Sequence, residues 1–166
     1  MLAIETRQGS CPTLPSWMAS TDRIIGGQAA TSPIPWQASL RQCTFASGAN
    51  CDTQFHHYCG GTVLDSKTVL TAAHCTSSAN TDYTKHYVMV GATNKAQGQK
   101  IKIAKVINHP NWDSANINND ISILKLAEPI TFGNNVQAMC LPSSTFAPVA
   151  GVDCYTSGWG LTNYRK

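Results

Sequence analysis

The sequence predicts an all-β fold, a closed antiparallel Greek-key β-barrel, and three observations carry that prediction. Short segments alternate apolar and polar residues with the period of two that a half-buried strand requires. Between residues 24 and about 138, clusters of Gly, Pro, Asn and Asp break these segments into six or so strands, the pattern of a small barrel. No stretch sustains a helical period, and there is no internal repeat or low-complexity tract.

In chain order, residues 1–23 read as a leader. Pro12, Pro15 and scattered Ser and Thr give no period, and Cys11 is the one anchored position. Arg23-Ile24-Ile25-Gly26-Gly27 follows; taken alone, its two glycines also suit a plain turn. Trp36 to Leu40 alternates as a half-buried strand. Cys43 and Cys51 bracket a short loop, so a local bridge is the simplest pairing, although sequence cannot fix connectivity. His56 and His57, just before Tyr58 to Leu64, face opposite ways on an extended chain and read as surface residues. A short apolar strand at Val69-Leu70-Thr71 ends in Ala72-Ala73-His74-Cys75. Tyr87 to Val90 is a further strand. Lys100 to Ile103 alternates and then slips phase at Ala104, which predicts a bulge or sharp bend. His109-Pro110-Asn111-Trp112 and Asn116 to Asn119 are turns. Ile121 to Leu126 is apolar on nearly both faces, as a central strand should be. Asp120 enters that strand. Unless it is a turn or capping residue, its carboxylate should be buried and therefore in need of a partner, for which a histidine is a natural choice.

Composition narrows the function classes. The chain has 166 residues, 42% hydrophobic and 13% charged, enough for one domain with a real core or one domain and part of another. The formal net charge is +3. Its one basic cluster, Lys95, Lys100, Lys102 and Lys105, lacks interleaved aromatics and reads as a solvated face, with no nucleic-acid partner. No run approaches a membrane span. Seven cysteines in so short a chain imply an oxidising compartment, hence a secreted protein. No signal peptide is evident from Met1 to Gln8: either it lies upstream, or the native chain does not begin at Met1. No Asn-x-Ser/Thr sequon occurs. Cys59, His74 and Cys75 lack the paired spacing of a zinc site. The loop Ala92 to Gln99 has no carboxylate for calcium. No cofactor is expected.

Five motifs in this order, Arg23-Ile24-Ile25-Gly26-Gly27, Cys59-Gly60-Gly61, Thr71-Ala72-Ala73-His74-Cys75, Asn119-Asp120-Ile121 and Gly158-Trp159-Gly160, resemble those of the trypsin/chymotrypsin family of serine proteases. The resemblance runs from about residue 11 to residue 166 and corresponds to the N-terminal portion of such a protease. It implies a leader or propeptide at 1–23, the first barrel at 24–138, and a linker with the start of a truncated second barrel at 139–166, whose opening strand is Asp153 to Gly160. It implies a zymogen cut after Arg23 by an activating protease with a basic-residue preference; the freed Ile24 ammonium would pair with a buried carboxylate. His74 would be general base and then general acid, and Asp120 would orient it, with a ring nitrogen about 2.6–3.2 Å from a carboxylate oxygen. Disulfides Cys59–Cys75, Cys11–Cys140 and Cys43–Cys51 are expected, leaving Cys154 for a partner in the second barrel. The nucleophilic serine is absent: Ser39, Ser66, Ser122 and Ser157 stand in no Gly-x-Ser-x-Gly context. The implied activity is serine endopeptidase cleavage of protein or peptide substrates, with this chain inactive alone. The alternative is a non-catalytic homologue that keeps the barrel as a binding or decoy module.

Overall fold

In the computed structural model, residues 12, 29–43, 55–77, 83–94, 97–147, 149–151 and 154–160 are described. Cys11, Arg23, Ile24 and Cys51 lie outside them, and with them the activation site and one half of two expected disulfides.

Six strands form among the described residues: β1 (Gln37–Cys43), β2 (Phe55–Asp65), β3 (Thr68–Thr71), β4 (His86–Val90), β5 (Gln99–Asn108) and β6 (Ser122–Leu126). Every pairing is antiparallel, and the order β1-β2-β3-β6-β5-β4 closes on itself through β4 and β1. Closure leaves no open edge in the barrel. Its interior is aliphatic: Ala38, Leu40, Val63, Val69, Val88, Ile101, Ile103, Leu124 and Leu126 point inward, and Ile130 and Val136 from the following segment join them. That segment is fastened by backbone hydrogen bonds from Ile130 N–H to Ser66 O at 2.7 Å and from Met139 N–H to Val63 O at 2.8 Å.

The adjacent glycines of β2 differ in role. A Cβ on Gly61 would stand 2.9 Å from Val69 Cγ1 and 3.2 Å from Leu40 Cδ1, so the interior admits no side chain there. Gly60 faces outward and has room.

The phase slip in β5 is a bulge. Ile103 pairs with Leu126 but Lys105 pairs with Lys125, so Ala104 is the extra residue. Beyond it the strand's faces exchange, and Ile107 is exposed.

Two expectations are corrected. His57 is not a plain surface residue: its Nδ1 is hydrogen-bonded to Ser39 Oγ at 2.8 Å, and its ring packs edge-on against Trp159 at 5.4 Å. His56 is exposed, as its position predicts. The expected strand near Asp153 to Gly160 is also missing, because residues 154–160 form no strand. A strand exists only against a hydrogen-bonded neighbour, and no described strand runs beside this segment. It is held instead by side chains: Ser157 Oγ donates to Gln37 Oε1 at 2.6 Å, and Trp159 Nε1 donates to Thr93 O at 2.7 Å.

Candidate active site

β3 and β6 are far apart in the chain but adjacent in the barrel, with Thr71 opposite Ser122. The residues leaving β3 therefore meet those entering β6, and His74 and Asp120 lie on these two exits.

After β3 the chain turns through a 3₁₀ segment, Ala73–Cys75, which presents His74 at the surface. Ala73 is fully buried, so a larger residue there would lift the turn off the barrel. Beneath it, the buried Thr76 hydroxyl lies 2.6 Å from Asn108 Oδ1, 3.1 Å from Ser122 Oγ and 3.2 Å from Ala73 O. The Tyr83 hydroxyl donates to the Thr76 carbonyl. A disulfide joins Cys75 to Cys59 of β2, 16 residues away. Closing a loop of that length stabilises the fold by about 3 kcal/mol on chain-entropy grounds.

On the other side, the entry to β6 is shaped by asparagines. Asn119 adopts φ 57°, a left-handed conformation that Asn tolerates better than most residues. Its side-chain amide donates to Asn111 O at 2.8 Å. The same turn puts Ile117 at φ 53°, which is unusual for a β-branched residue. Asp113 braces this turn by accepting from Ala115 N–H and the Asn116 amide, which hold its carboxyl below the usual carboxylate range.

The two exits meet through a two-pronged contact. Asp120 Oδ2 lies 2.7 Å from His74 Nδ1, and Oδ1 accepts the His74 backbone N–H at 2.8 Å. The first of these is the main reason the Asp120 carboxyl is held below its ordinary value; partial burial opposes the shift, and the backbone N–H groups of His74 and Ala73 add to it. A carboxylate only accepts, so Nδ1 must carry the proton and Nε2 is left to exchange one. Asp120 is not buried as its strand context predicts: its side chain is 21% exposed and that of His74 is 59% exposed. The pair lies at the rim of the barrel, where an open cleft beside Asp120 is lined by Gln37, Gly60, Thr71, Ile121, Tyr155 and Ser157.

Among the described residues, no serine hydroxyl hydrogen-bonds His74. Cys59, His74 and Cys75 converge to within 4.8 Å, a metal-like cluster by distance. Their two sulfurs are bonded to each other and offer no thiolate ligand. Cys43 and Cys140 are both in disulfides, while Cys154 carries a thiol at the surface.

Sequence reasoning found the histidine, the aspartate and the disulfide. It missed Thr76, Asn108 and Ser122, the polar pillar beneath the turn. Only a small hydroxyl residue at the start of an otherwise apolar strand hinted at it.

The trypsin family model matches residues 24–166. Serine protease 1 of the dog, Canis lupus familiaris, is 37% identical over 142 residues, which cover 85% of this chain and 51% of that protein. The chain thus spans about half the length of this curated relative. With its closed barrel and this match, the chain belongs to the trypsin family.

Proposed function

We propose that this chain is the histidine- and aspartate-bearing part of a secreted serine endopeptidase that hydrolyses peptide bonds in protein substrates. The observation that carries the reading is the 2.7 Å contact between His74 Nδ1 and Asp120 Oδ2, at the rim of a trypsin-family barrel. Asp120 holds the ring through Nδ1 and leaves Nε2 as the nitrogen that exchanges a proton with the nucleophile. His74 takes a proton from a serine hydroxyl as that oxygen attacks the substrate carbonyl, then returns it to the leaving amine. Asp120 stabilises the imidazolium formed between these steps.

The serine and the oxyanion donors come from beyond these 166 residues; the greater length of the dog relative supports this. We place the leader at 1–23, the first barrel at 24–138, and the linker and opening of a second barrel at 139–166. Cleavage after Arg23 by a protease with basic preference frees Ile24 to order the site. The Cys11–Cys140 bridge keeps the leader attached, and Cys43–Cys51 closes its loop locally.

The test is the longest natural product containing these residues, activated by cleavage after Arg23 and assayed for peptide ester hydrolysis. Turnover should appear and fall by about 10⁶-fold in His74→Ala. Absence of turnover in the activated natural product would favour a binding module.

A further inference from the structure

The imidazole of His74 faces sulfur as well as carboxylate. With Nδ1 committed to Asp120, Nε2 lies 3.4 Å from Cys75 Sγ, one half of the Cys59–Cys75 disulfide. Cys59 Sγ also lies within 4.8 Å of the imidazole but is not hydrogen-bonded to it, so Cys75 is the sulfur within reach of its proton. The two sulfurs are therefore unequal leaving groups. Thiol–disulfide exchange depends on how well the departing thiolate is stabilised, and an adjacent histidine cation stabilises a thiolate strongly. A nucleophile or leaving group, a histidine within reach of it, and a third group orienting that histidine form the arrangement of general acid–base chemistry at sulfur.

We propose that Cys59–Cys75 is a directed thiol-exchange site, with Cys59 the sulfur attacked and His74 the acid that receives Cys75. The co-reactant is a low-molecular-weight thiol. Its thiolate attacks Cys59 Sγ and forms a mixed disulfide. The Cys59–Cys75 bond breaks, and its electron pair passes to Cys75 Sγ, which takes the Nε2 proton of the His74 imidazolium. A second thiolate then attacks the small-molecule sulfur of the mixed disulfide. Cys59 leaves as thiolate and is protonated by water, and the two small thiols depart joined as one disulfide. Two thiols are oxidised and one protein disulfide is reduced.

The exposure of His74 lets water restore its proton after each event. The consequence falls on the site itself. Cys75 ends the short turn that carries His74, so exchange removes the covalent tie between that turn and β2. The turn is then held to the barrel by non-covalent contacts: the buried Ala73, the Thr76 pillar, the Tyr83 hydroxyl and Asp120. The His74–Asp120 pair thus sits on a redox-sensitive mount.

The test uses the whole 166-residue chain with reduced glutathione under anaerobic conditions, quenched by alkylation and read by mass spectrometry of the cysteine peptides. The disulfide at Cys43 in the same sample is the internal reference for unfolding. Glutathione should appear first on Cys59, with Cys75 as a thiol. His74→Gln, which keeps the bulk but supplies no titratable ring, should slow reduction relative to the reference by about tenfold or more. A normalised rate unchanged or raised in His74→Gln overturns the proposal, as does first attachment of glutathione to Cys75. Neither readout involves peptide hydrolysis, so this proposal can fail while the endopeptidase reading stands, and the reverse.

Discussion

The barrel and the segment after it are built from similar residues and behave differently. Between Gln37 and Leu126 each strand has two hydrogen-bonded neighbours, and the inward side chains of Ala38, Leu40, Val63, Val69 and Leu124 are fully buried. From residue 141 onward, Leu141, Phe146, Val149 and Tyr155 are exposed, and no strand forms among the described residues. The tail is not short of apolar residues. It lacks a second surface to bury them against, and burial rather than propensity is what stabilises a strand. It touches the barrel by Ser157 and Trp159, contacts that position a chain without making a core.

The widest separation between the two regions should come from paired truncations. Leu124→Ala opens a cavity in a closed interior and should cost about 2–5 kcal/mol. Phe146→Ala removes a larger side chain that is mostly in water and should stay within about 0.5 kcal/mol. Urea unfolding of both variants measures the contrast, and equal losses would mean that the tail has a core of its own. Next in size is the covalent tie. Replacing Cys59 and Cys75 together by Ala should cost about 3 kcal/mol and leave the β1–β2 ladder intact, read from the urea midpoint and amide exchange in β2.

The barrel was more legible in the sequence than the site. Alternation located β1 and the first part of β5, apolar runs located β3, β4 and β6, and the bulge at Ala104 showed as a slip of phase from Ile101 and Ile103 to Ala104 and Val106. The bulges between Leu40 and Arg41 and between Val63 and Asp65 left no such mark. At the first, buried residues run without interruption from Ala38 to Arg41. Arg41 is buried because its guanidinium lies 4.2 Å above the Phe55 ring and donates to Phe55 O at 2.7 Å, a contact between strands that no local pattern encodes. Asp120 was correctly matched to a histidine, but its half-exposed position depends on the shape of the barrel rim. The tail strand was expected from the family resemblance and failed because a strand is a relation between two segments, and no described strand lies beside this one.

A smaller effect should separate docking from folding. Trp159→Ala removes the hydrogen bond to Thr93 and the edge-on contact with His57. The barrel's unfolding free energy should change by less than about 1 kcal/mol, since the lost contacts lie outside the closed interior. Limited proteolysis should nevertheless cut residues 154–160 faster than in the unsubstituted chain. A large loss of global stability would instead make the tail an integral part of the barrel.

The smallest predicted effect lies in the acid limb of stability. Asp120 titrates in the folded chain below the ordinary carboxylate value of about 3.9. The sign follows from linkage. A depressed folded-state value means that the unfolded chain binds the proton more readily, so the contribution is fully present above about pH 4 and disappears as pH falls through the lower folded value. Asp113, held low by Ala115 and Asn116, contributes in the same direction. Both groups are open to solvent, so their effect on global stability is modest and screened by salt. Asp120→Asn should flatten part of the stability decline below about pH 4, and Asp113→Asn should flatten another part. The two variants differ in what else they touch. Asp120→Asn also releases the His74 ring, which should appear as a change in the Nδ1–H signal by nuclear magnetic resonance, while Asp113→Asn should leave that signal in place. An unchanged ring signal in Asp120→Asn would mean that the turn and its disulfide, and not the carboxylate, hold His74 where it stands.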